Sequence, residues 1–291
     1  MNVLITGVDG QVGQILARRM PEKINFIGLT REQLDITNEK AVENVFERFK
    51  PNIVVNAAAY TKVEEAELNS VQAMEINSTG PSLLAQQAEK HKSVLIHLST
   101  DYVFDGNSDL PYIEHDIAIP LNIYGKSKLA GEVAIANTCT KYLIIRTSWI
   151  FSECGCNFIK TMLRLAMETD VIKVVDDQFG GPTYAGDIAD TIIKLIQNLE
   201  VDIDIQWGVY HYSGYPFVSW YEFACSLFEV TAKSSLSLKE PKLVPVASSE
   251  YKFKAKRPKN SKLNCSKIYQ EFFIEPCDWK KALKMIEKYS D

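Results

Sequence analysis

Tyr124 and Lys128 stand four positions apart at the start of a predicted helix, Asn122 to about Asn137. That spacing puts both side chains on one helix face. A nearby ammonium favours a phenolate, so such a lysine lowers the pKa of its tyrosine. The pair therefore has the makings of a general acid that protonates a carbonyl oxygen. Thr100 ends a predicted strand earlier in the chain, and its hydroxyl would hydrogen-bond the same oxygen. Reducing a ketone requires a hydride, a proton and stabilisation of the developing oxyanion. Thr100, Tyr124 and Lys128 cover the last two.

The hydride needs a carrier, and the N-terminus offers a place for one. Gly7-Val8-Asp9-Gly10-Gln11-Val12-Gly13 follows the first predicted strand and opens the first helix. Gly7 suits a tight turn, Gly10 lets backbone approach a diphosphate, and Gly13 allows close helix-on-strand packing. Free N–H groups at the helix N-terminus, Gln11 and Val12 among them, favour phosphates. The spacing and its strand–loop–helix context indicate dinucleotide binding. An acid for the ribose 2′-hydroxyl is expected at the end of the second strand. That end reads Leu29-Thr30-Arg31. Arg31 suits a 2′-phosphate and hence NADPH, although Glu32 beside it weakens that reading and a solvated Arg31 is the alternative.

These residues need a frame. Short apolar runs at Val3–Ile5, Asn25–Leu29, Ile53–Val55, Val94–Leu98 and Tyr142–Ile145 read as strands. Helical periodicity separates them at Gln11–Met20, Glu39–Phe49 (capped by Asn38 and stopped by Pro51), Ser70–His91 and Asn122–Asn137. Near-continuous apolar strands alternating with helices predict a doubly wound α/β fold with a parallel sheet. After residue 150 the pattern loosens. Helices are expected at Phe158–Met167, Ile188–Leu199, Tyr221–Phe228 and Trp279–Tyr289, with a strand at Gly208–Tyr212. The expected organisation is a nucleotide-binding domain over 1–150 and a smaller, mainly substrate-binding α/β part over 151–291. A segment near 185–210 is expected to return to the first domain.

Composition sets limits. With 46% hydrophobic and 24% charged residues the chain reads as an ordinary globular protein. A net charge of -5 argues against a nucleic-acid partner. No stretch of about 18 apolar residues suggests a membrane span, and the N-terminus lacks a signal-peptide pattern. The six cysteines include no C-x-x-C pair. They read as free thiols in a reducing compartment, which makes the cytoplasm the expected location. Cys154 and Cys156 read as incidental, and Asp176 and Asp177 as a solvated pair rather than a metal site. The basic run Lys252–Lys262 is either a solvated loop or an anion clamp.

Taken together, these residues resemble the extended short-chain dehydrogenases, with their glycine loop and Ser/Thr–Tyr–Lys triad. Further segments point to the branch that reduces nucleotide-linked 4-keto-6-deoxy sugars: LDIT (Leu34–Thr37), NAAAYT (Asn56–Thr61), STDYVFDG (Ser99–Gly106), RTSW (Arg146–Trp149), DQFGGPT (Asp177–Thr183) and RPKNSKL (Arg257–Leu263). The resemblance spans nearly the whole chain. It implies that NADPH, or NADH, reduces the C4 ketone of dTDP-6-deoxy-L-lyxo-4-hexulose to give dTDP-L-rhamnose. It further implies that Asp35 and Ile36 border the adenine and that Ala57, Ala58, Ala59 and Tyr60 line the cofactor. Asp101 and Tyr102 would edge the sugar pocket, Trp149 would pack on the sugar, and Asn157 and Arg257 would lie near the nucleotide-sugar diphosphate.

Simpler roles compete for several of these. Trp149 could be a core aromatic, Asp101 a cap, and Ala57–Ala59 close packing. Some family members are magnesium-bridged dimers with a glutamate ligand on the first helix. Ile15 stands at that position here, and a hydrocarbon cannot ligate a hard cation. No metal is therefore expected, and monomer and homodimer both stay open. A dehydratase or epimerase is disfavoured because Tyr102, not an acid, follows Asp101. Reduction of another nucleotide-linked keto-sugar and a non-catalytic, reductase-like subunit are the remaining alternatives.

Overall fold

Six parallel strands form the central sheet in the spatial order β2-β1-β3-β4-β5-β10. In sequence they are β1 (Asn2–Thr6), β2 (Asn25–Leu29), β3 (Ile53–Asn56), β4 (Val94–Thr100), β5 (Tyr142–Thr147) and β10 (Gly208–His211). The computed structural model describes residues 1–200, 205–236 and 240–289. The part of the predicted 185–210 segment at 201–204 lies outside them.

Period-2 alternation divides each strand between two cores. Val3, Ile5, Ile53, Val55, Ile96, Leu143 and Ile145 face one side, where α1 (Gln11–Arg19) and α8 (Ala185–Glu200) pack. Leu4, Val54, Leu95 and Ile144 face the other, against α2 (Glu39–Phe49), α5 (Gly80–His91) and α6 (Ile123–Thr138). A parallel sheet covered on both faces needs such continuous apolar runs. Ile15 of α1 is 2% exposed, at the centre of the first core. Asn38 caps α2 by accepting from Ala41 N at 3.1 Å. The helix closes at Lys50, which adopts the left-handed conformation one residue before Pro51.

The predicted Ser70–His91 helix is interrupted. A short α3 (Val63–Ala66) precedes it; α4 (Ser70–Met74) then passes into a π-turn (Glu75–Thr79) before α5. Gly80 N–H bonds back to Glu75 O, one residue further than in an α-helix. Pro81 supplies the cause. It has no N–H to give to Asn77, four residues back, and its ring crowds that carbonyl. The widened turn leaves Asn77 fully buried, holding Tyr60 through N–H and C=O (2.8 and 3.0 Å) and donating to Ser127 Oγ at 2.9 Å. Helix α6 packs so tightly here that a Cβ on Gly131 would sit 2.1 Å from Asn77 O.

After residue 150 the chain adds α7 (Phe158–Glu168) and α9 (Trp220–Thr231) along with two-stranded pairings. These are β6 (Ile150–Phe151) with β9 (Thr183–Tyr184), β7 (Val171–Val175) with β12 (Lys242–Val246), and β8 (Phe179–Gly180) with β11 (Val218–Ser219). Helices α10 (Ser266–Phe272) and α11 (Trp279–Leu283) complete it, with a 3-10 turn at Ile286–Tyr289 where a continuous helix was predicted. Asp176 and Asp177 are not a solvated pair. Asp176 accepts from the Ser219 hydroxyl, and Asp177 from Ser248 N and Oγ (2.8 and 2.9 Å). Among the described residues no helix is long and apolar enough to cross a membrane.

Glycine to alanine inside a helix ordinarily stabilises by about 1 kcal/mol. Gly131→Ala is expected to do the opposite, costing about 1–3 kcal/mol because the methyl meets the Asn77 carbonyl. The midpoint of urea unfolding reads the sign, and an unchanged or raised midpoint would contradict the packing.

Candidate active site

The carboxyl ends of β1, β3 and β4 open into a cleft of about 650 Å³, within the range of small-molecule sites. Its walls include Gly7, Gly10, Gln11, Val12, Arg31, Asp35, Ile36, Ala57, Ala58 and Ala59, with Tyr124 and Lys128 on the same surface. Gly7 adopts φ +69°, and a Cβ there would lie 2.6 Å from Ala58 N. Only glycine lets the first loop sit against the Ala57–Ala59 segment. Ala58 thus serves close packing and cleft lining together. Gly13 has a packing role alone, since its Cβ would lie 2.2 Å from Gly7 O.

Tyr60 departs from expectation. It is buried with Ala66 and Ala73, packed against Ile76 and Tyr124, while Thr61 and Lys62 take the lining positions. Asp35 accepts from Thr37 N and Oγ1 at 2.9 and 2.7 Å, which holds its carboxyl below the ordinary range. Arg31 is exposed at the rim, close enough to Asp35 to add to that effect.

Thr100 closes β4 and Tyr124 stands in the first turn of α6, behind the Asn122 cap that accepts from Gly125 N at 2.8 Å. The Thr100 hydroxyl lies beside the Tyr124 phenol, donates to Asp101 Oδ1 at 3.0 Å and accepts from Tyr102 N at 3.2 Å. Tyr102 meets Tyr124 edge-on, with ring centroids 5.9 Å apart. Burial raises both phenols, Tyr102 to about 12. The expected lowering of Tyr124 by a lysine ammonium is not realised in this structure. Lys128 instead donates to Leu98 O at 2.7 Å and faces His97 Nε2 at 3.2 Å. Burial lowers Lys128 to about 8.

Asp101 is also buried, which pushes its carboxyl up to about 7 against relief from the Ser261 and Thr100 hydroxyls. Its Oδ2 has no hydrogen-bond partner among the described residues. The cap role is real for its neighbour, since Thr100 caps the short 3-10 turn that Asp101 begins.

The remaining expected residues divide. Trp149, at φ 46°, stacks on Trp220 with centroids 3.5 Å apart and rings 5° from parallel. Asn157 caps α7 and donates to Gln11 Oε1 at 3.1 Å, which sets it against the glycine loop. Arg257 donates to Glu64 Oε1 at 2.9 Å and lies over the Phe253 ring at 4.2 Å, while its Nε is buried without a partner among the described residues. The basic run therefore contributes a guanidinium already paired within the chain, not an open clamp. Gly155 and the exposed Cys156 also line the cleft.

Two buried networks behind the site have no counterpart in motif spacing. Glu132 pairs with Arg146 through bonds of 2.7 and 3.0 Å and accepts from the Ser99 hydroxyl next to Thr100. Thr6, Asn56 and His97 form the other, ending at Lys128. Polar Asn56 and His97 inside apolar strands were the available signal.

A cleft lined by a glycine loop on a doubly wound sheet, with a tyrosine and lysine on one helix beside it, defines an oxidoreductase of the extended short-chain dehydrogenase class. Within that class, the chain belongs to the RmlD substrate binding domain family, which it matches over residues 1–290. It is 44% identical over 99% of both chains to dTDP-4-dehydrorhamnose reductase of Aggregatibacter actinomycetemcomitans. The same-named protein of Escherichia coli K12 is 40% identical, covering 98% of this chain and 96% of that one. A dTDP-4-dehydrorhamnose reductase of Bacillus anthracis, solved in complex with NADP, superposes with a TM-score of 0.91 at 36% identity, over 98% of this chain and 99% of that one.

The Asp101 carboxyl yields a prediction with a definite sign. Its folded pKa, about 7, lies above the unfolded value, so the fold binds the extra proton below pH 7 and loses stability as pH rises through that value. Asp101→Asn removes the buried charge. Its melting temperature should exceed that of wild type by more near pH 8 than near pH 5, the widening corresponding to a stability difference on the order of a few kcal/mol. Thermal melts at the two pH values that show a constant gap would refute the buried, unpaired carboxylate.

Proposed function

We propose that this chain reduces the C4 ketone of dTDP-6-deoxy-L-lyxo-4-hexulose to dTDP-L-rhamnose with NADPH, NADH being the alternative donor. The observation that carries this reading is one continuous cleft. Its walls are the glycine loop and the Ala57–Ala59 segment, and its lining includes Tyr124 and Lys128. The two relatives and the solved structure supply the sugar, since their shared name covers proteins aligned almost end to end with this one.

The residues fit a dinucleotide. Backbone N–H groups at the start of α1 face the loop where Gly7 and Gly13 leave no room for a Cβ, and such a helix start favours phosphate. When bound, the nicotinamide supplies the hydride. Thr100 holds the ketone oxygen and Tyr124 gives it a proton, with the Thr100 hydroxyl beside the phenol. Lys128, one helical turn on, supplies hydrogen bonds and an exchangeable proton near the tyrosine. Asp101 and Tyr102, which follow Thr100, would edge the sugar from behind the phenol, and Trp149 presents a flat apolar face suited to a sugar. Arg257, oriented by its Glu64 pair, contributes positive charge near the diphosphate. We assign residues 1–150 to the cofactor. The substrate side falls to most of 151–291, apart from α8 and β10, which join the first sheet. The free cysteines fit a reducing compartment, and we place the reaction in the cytoplasm.

Turnover is tested by following NADPH absorbance with purified protein and the ketone generated in place by a 3,5-epimerase. Tyr124→Phe should lower turnover roughly 100-fold or more while leaving cofactor binding intact. Cofactor binding without any turnover by the wild type would favour another keto-sugar or a non-catalytic role. For cofactor choice, Arg31→Ala should weaken NADPH binding roughly tenfold and leave NADH binding nearly unchanged, as loss of one guanidinium–phosphate contact predicts. Equal effects on both would remove Arg31 from 2′-phosphate recognition.

A further inference from the structure

His97 occupies a position that the reaction as proposed does not use. It is completely buried in β4, and strand register sets it opposite Asn56 of β3. The Asn56 amide has a fixed orientation, because its Oδ1 accepts twice: from Thr6 Oγ1 at 2.7 Å and from Ala58 N at 3.1 Å. Turning the amide over would set its NH₂ against the Ala58 N–H. Asn56 Nδ2 therefore donates to His97 Nδ1, 2.9 Å away. A neutral imidazole carries one N–H, so the proton sits on Nε2. Burial and the neighbouring Lys128 hold His97 far below its ordinary pKa, which keeps the ring neutral.

Nε2–H then points at Lys128 Nζ, 3.2 Å away. An ammonium has three donors and no lone pair, so it cannot accept this hydrogen. An amine can. In that form one N–H goes to Leu98 O at 2.7 Å, the lone pair takes the His97 hydrogen, and one N–H is left for the cleft that Lys128 lines. The other titratable groups around Lys128 act differently. Glu132, one turn further along α6, favours the ammonium, but its carboxylate is already held by Arg146 of β5. Tyr124, one turn earlier, is a neutral phenol raised by burial.

We propose that His97 is a positioning residue that, through Nε2–H, stabilises Lys128 as the uncharged amine and so eases release of a proton from Lys128 to Tyr124. This rests on the reductase reading above. Tyr124 loses a proton to the ketone oxygen, and the phenolate left behind takes one from the Lys128 ammonium. The resulting amine accepts the His97 hydrogen bond until the cleft supplies the next proton. The proton count closes with one consumed per ketone reduced. Orientation of Asn56 by Thr6 and Ala58 ties this device to the ends of β1 and β3.

The test begins without substrate. In ¹⁵N-histidine-labelled protein, the His97 signal should show Nε2 protonated and Nδ1 bare across neutral pH. In ¹³C-lysine-labelled protein, with Lys128→Arg used to find the signal, Lys128 should titrate at about pH 8. In His97→Gln, whose Oε1 can turn to accept from an ammonium, that titration should rise by about one pH unit or more. The alkaline limb of the kcat profile should move with it. His97→Asn keeps an acceptor for Asn56 but is too short to reach Lys128, and serves as the second variant. A proton on Nδ1, or an unmoved Lys128 titration in either variant, would overturn the proposal. A shifted titration in a protein with no ketone turnover would sustain the His97–Lys128 coupling and reject the reductase reading instead.

Discussion

A lysine side chain shut away from water constrains everything near it. Lys128 is 2% exposed, and burial of an unpaired cation is prohibitive unless it finds partners or gives up its proton. Its partners are one strand carbonyl and one ring nitrogen, both on β4. Holding Nζ there fixes the rotation of α6 about its axis, and with it Tyr124 one turn earlier. The helix is pinned from its outer side as well, where the π-turn presents Asn77 to Ser127, the residue before Lys128. Pro81 is the sequence-level cause of that turn, and Gly131 is the vacancy that lets it approach.

The cleft is built by close approach rather than by large side chains. Gly7 and Gly13 bring the first loop, the helix start and the Ala57–Ala59 segment to within van der Waals contact. Backbone donors are thereby exposed along one wall, and the polar ends of β1, β3 and β4 meet behind it. Thr6 and Asn56 sit side by side in register, and Asn56 opposite His97. One row of residues across three strands thus connects the cofactor side of the cleft to the lysine. A second buried row, Ser99–Glu132–Arg146, braces the same helix against β4 and β5. Losing one partner of such a buried pair would cost on the order of 3–5 kcal/mol, so this brace keeps α6 at its distance from the sheet.

The chain beyond residue 150 does two jobs in different directions. Helix α8 and strand β10 complete the first sheet and its core, while the short paired strands and α9 bring Trp220 onto Trp149 and the 253–261 segment onto Tyr102 and Asp101. Charge is spent locally there. Glu64 takes Arg257 and two backbone N–H groups, so the basic run meets α3 through an ion pair within the chain.

Local rules determined much of this protein. The apolar strands, the Asn38 and Asn122 caps, the glycine loop and the Tyr124–Lys128 spacing all act within a few residues, where period and stereochemistry decide the outcome. That sufficed for a doubly wound sheet and for a cleft lined by most of the residues expected to bind a dinucleotide. Sequence periodicity did not separate the two helical segments around the π-turn, although Gly80-Pro81 marked the place. Nor did it reveal the short strands after residue 150, most of which pair over only two residues and leave no periodic signature. Side-chain direction and protonation belonged to the tertiary structure. Tyr60 turns inward because Asn77 grips its backbone, and Arg257 is paired because Glu64, almost two hundred residues away in sequence, folds beneath it. Lys128 faces a histidine because strand register lines up Thr6, Asn56 and His97. Each of these depends on contacts between residues distant in the chain and on burial, and neither burial nor long-range contact can be read from local sequence.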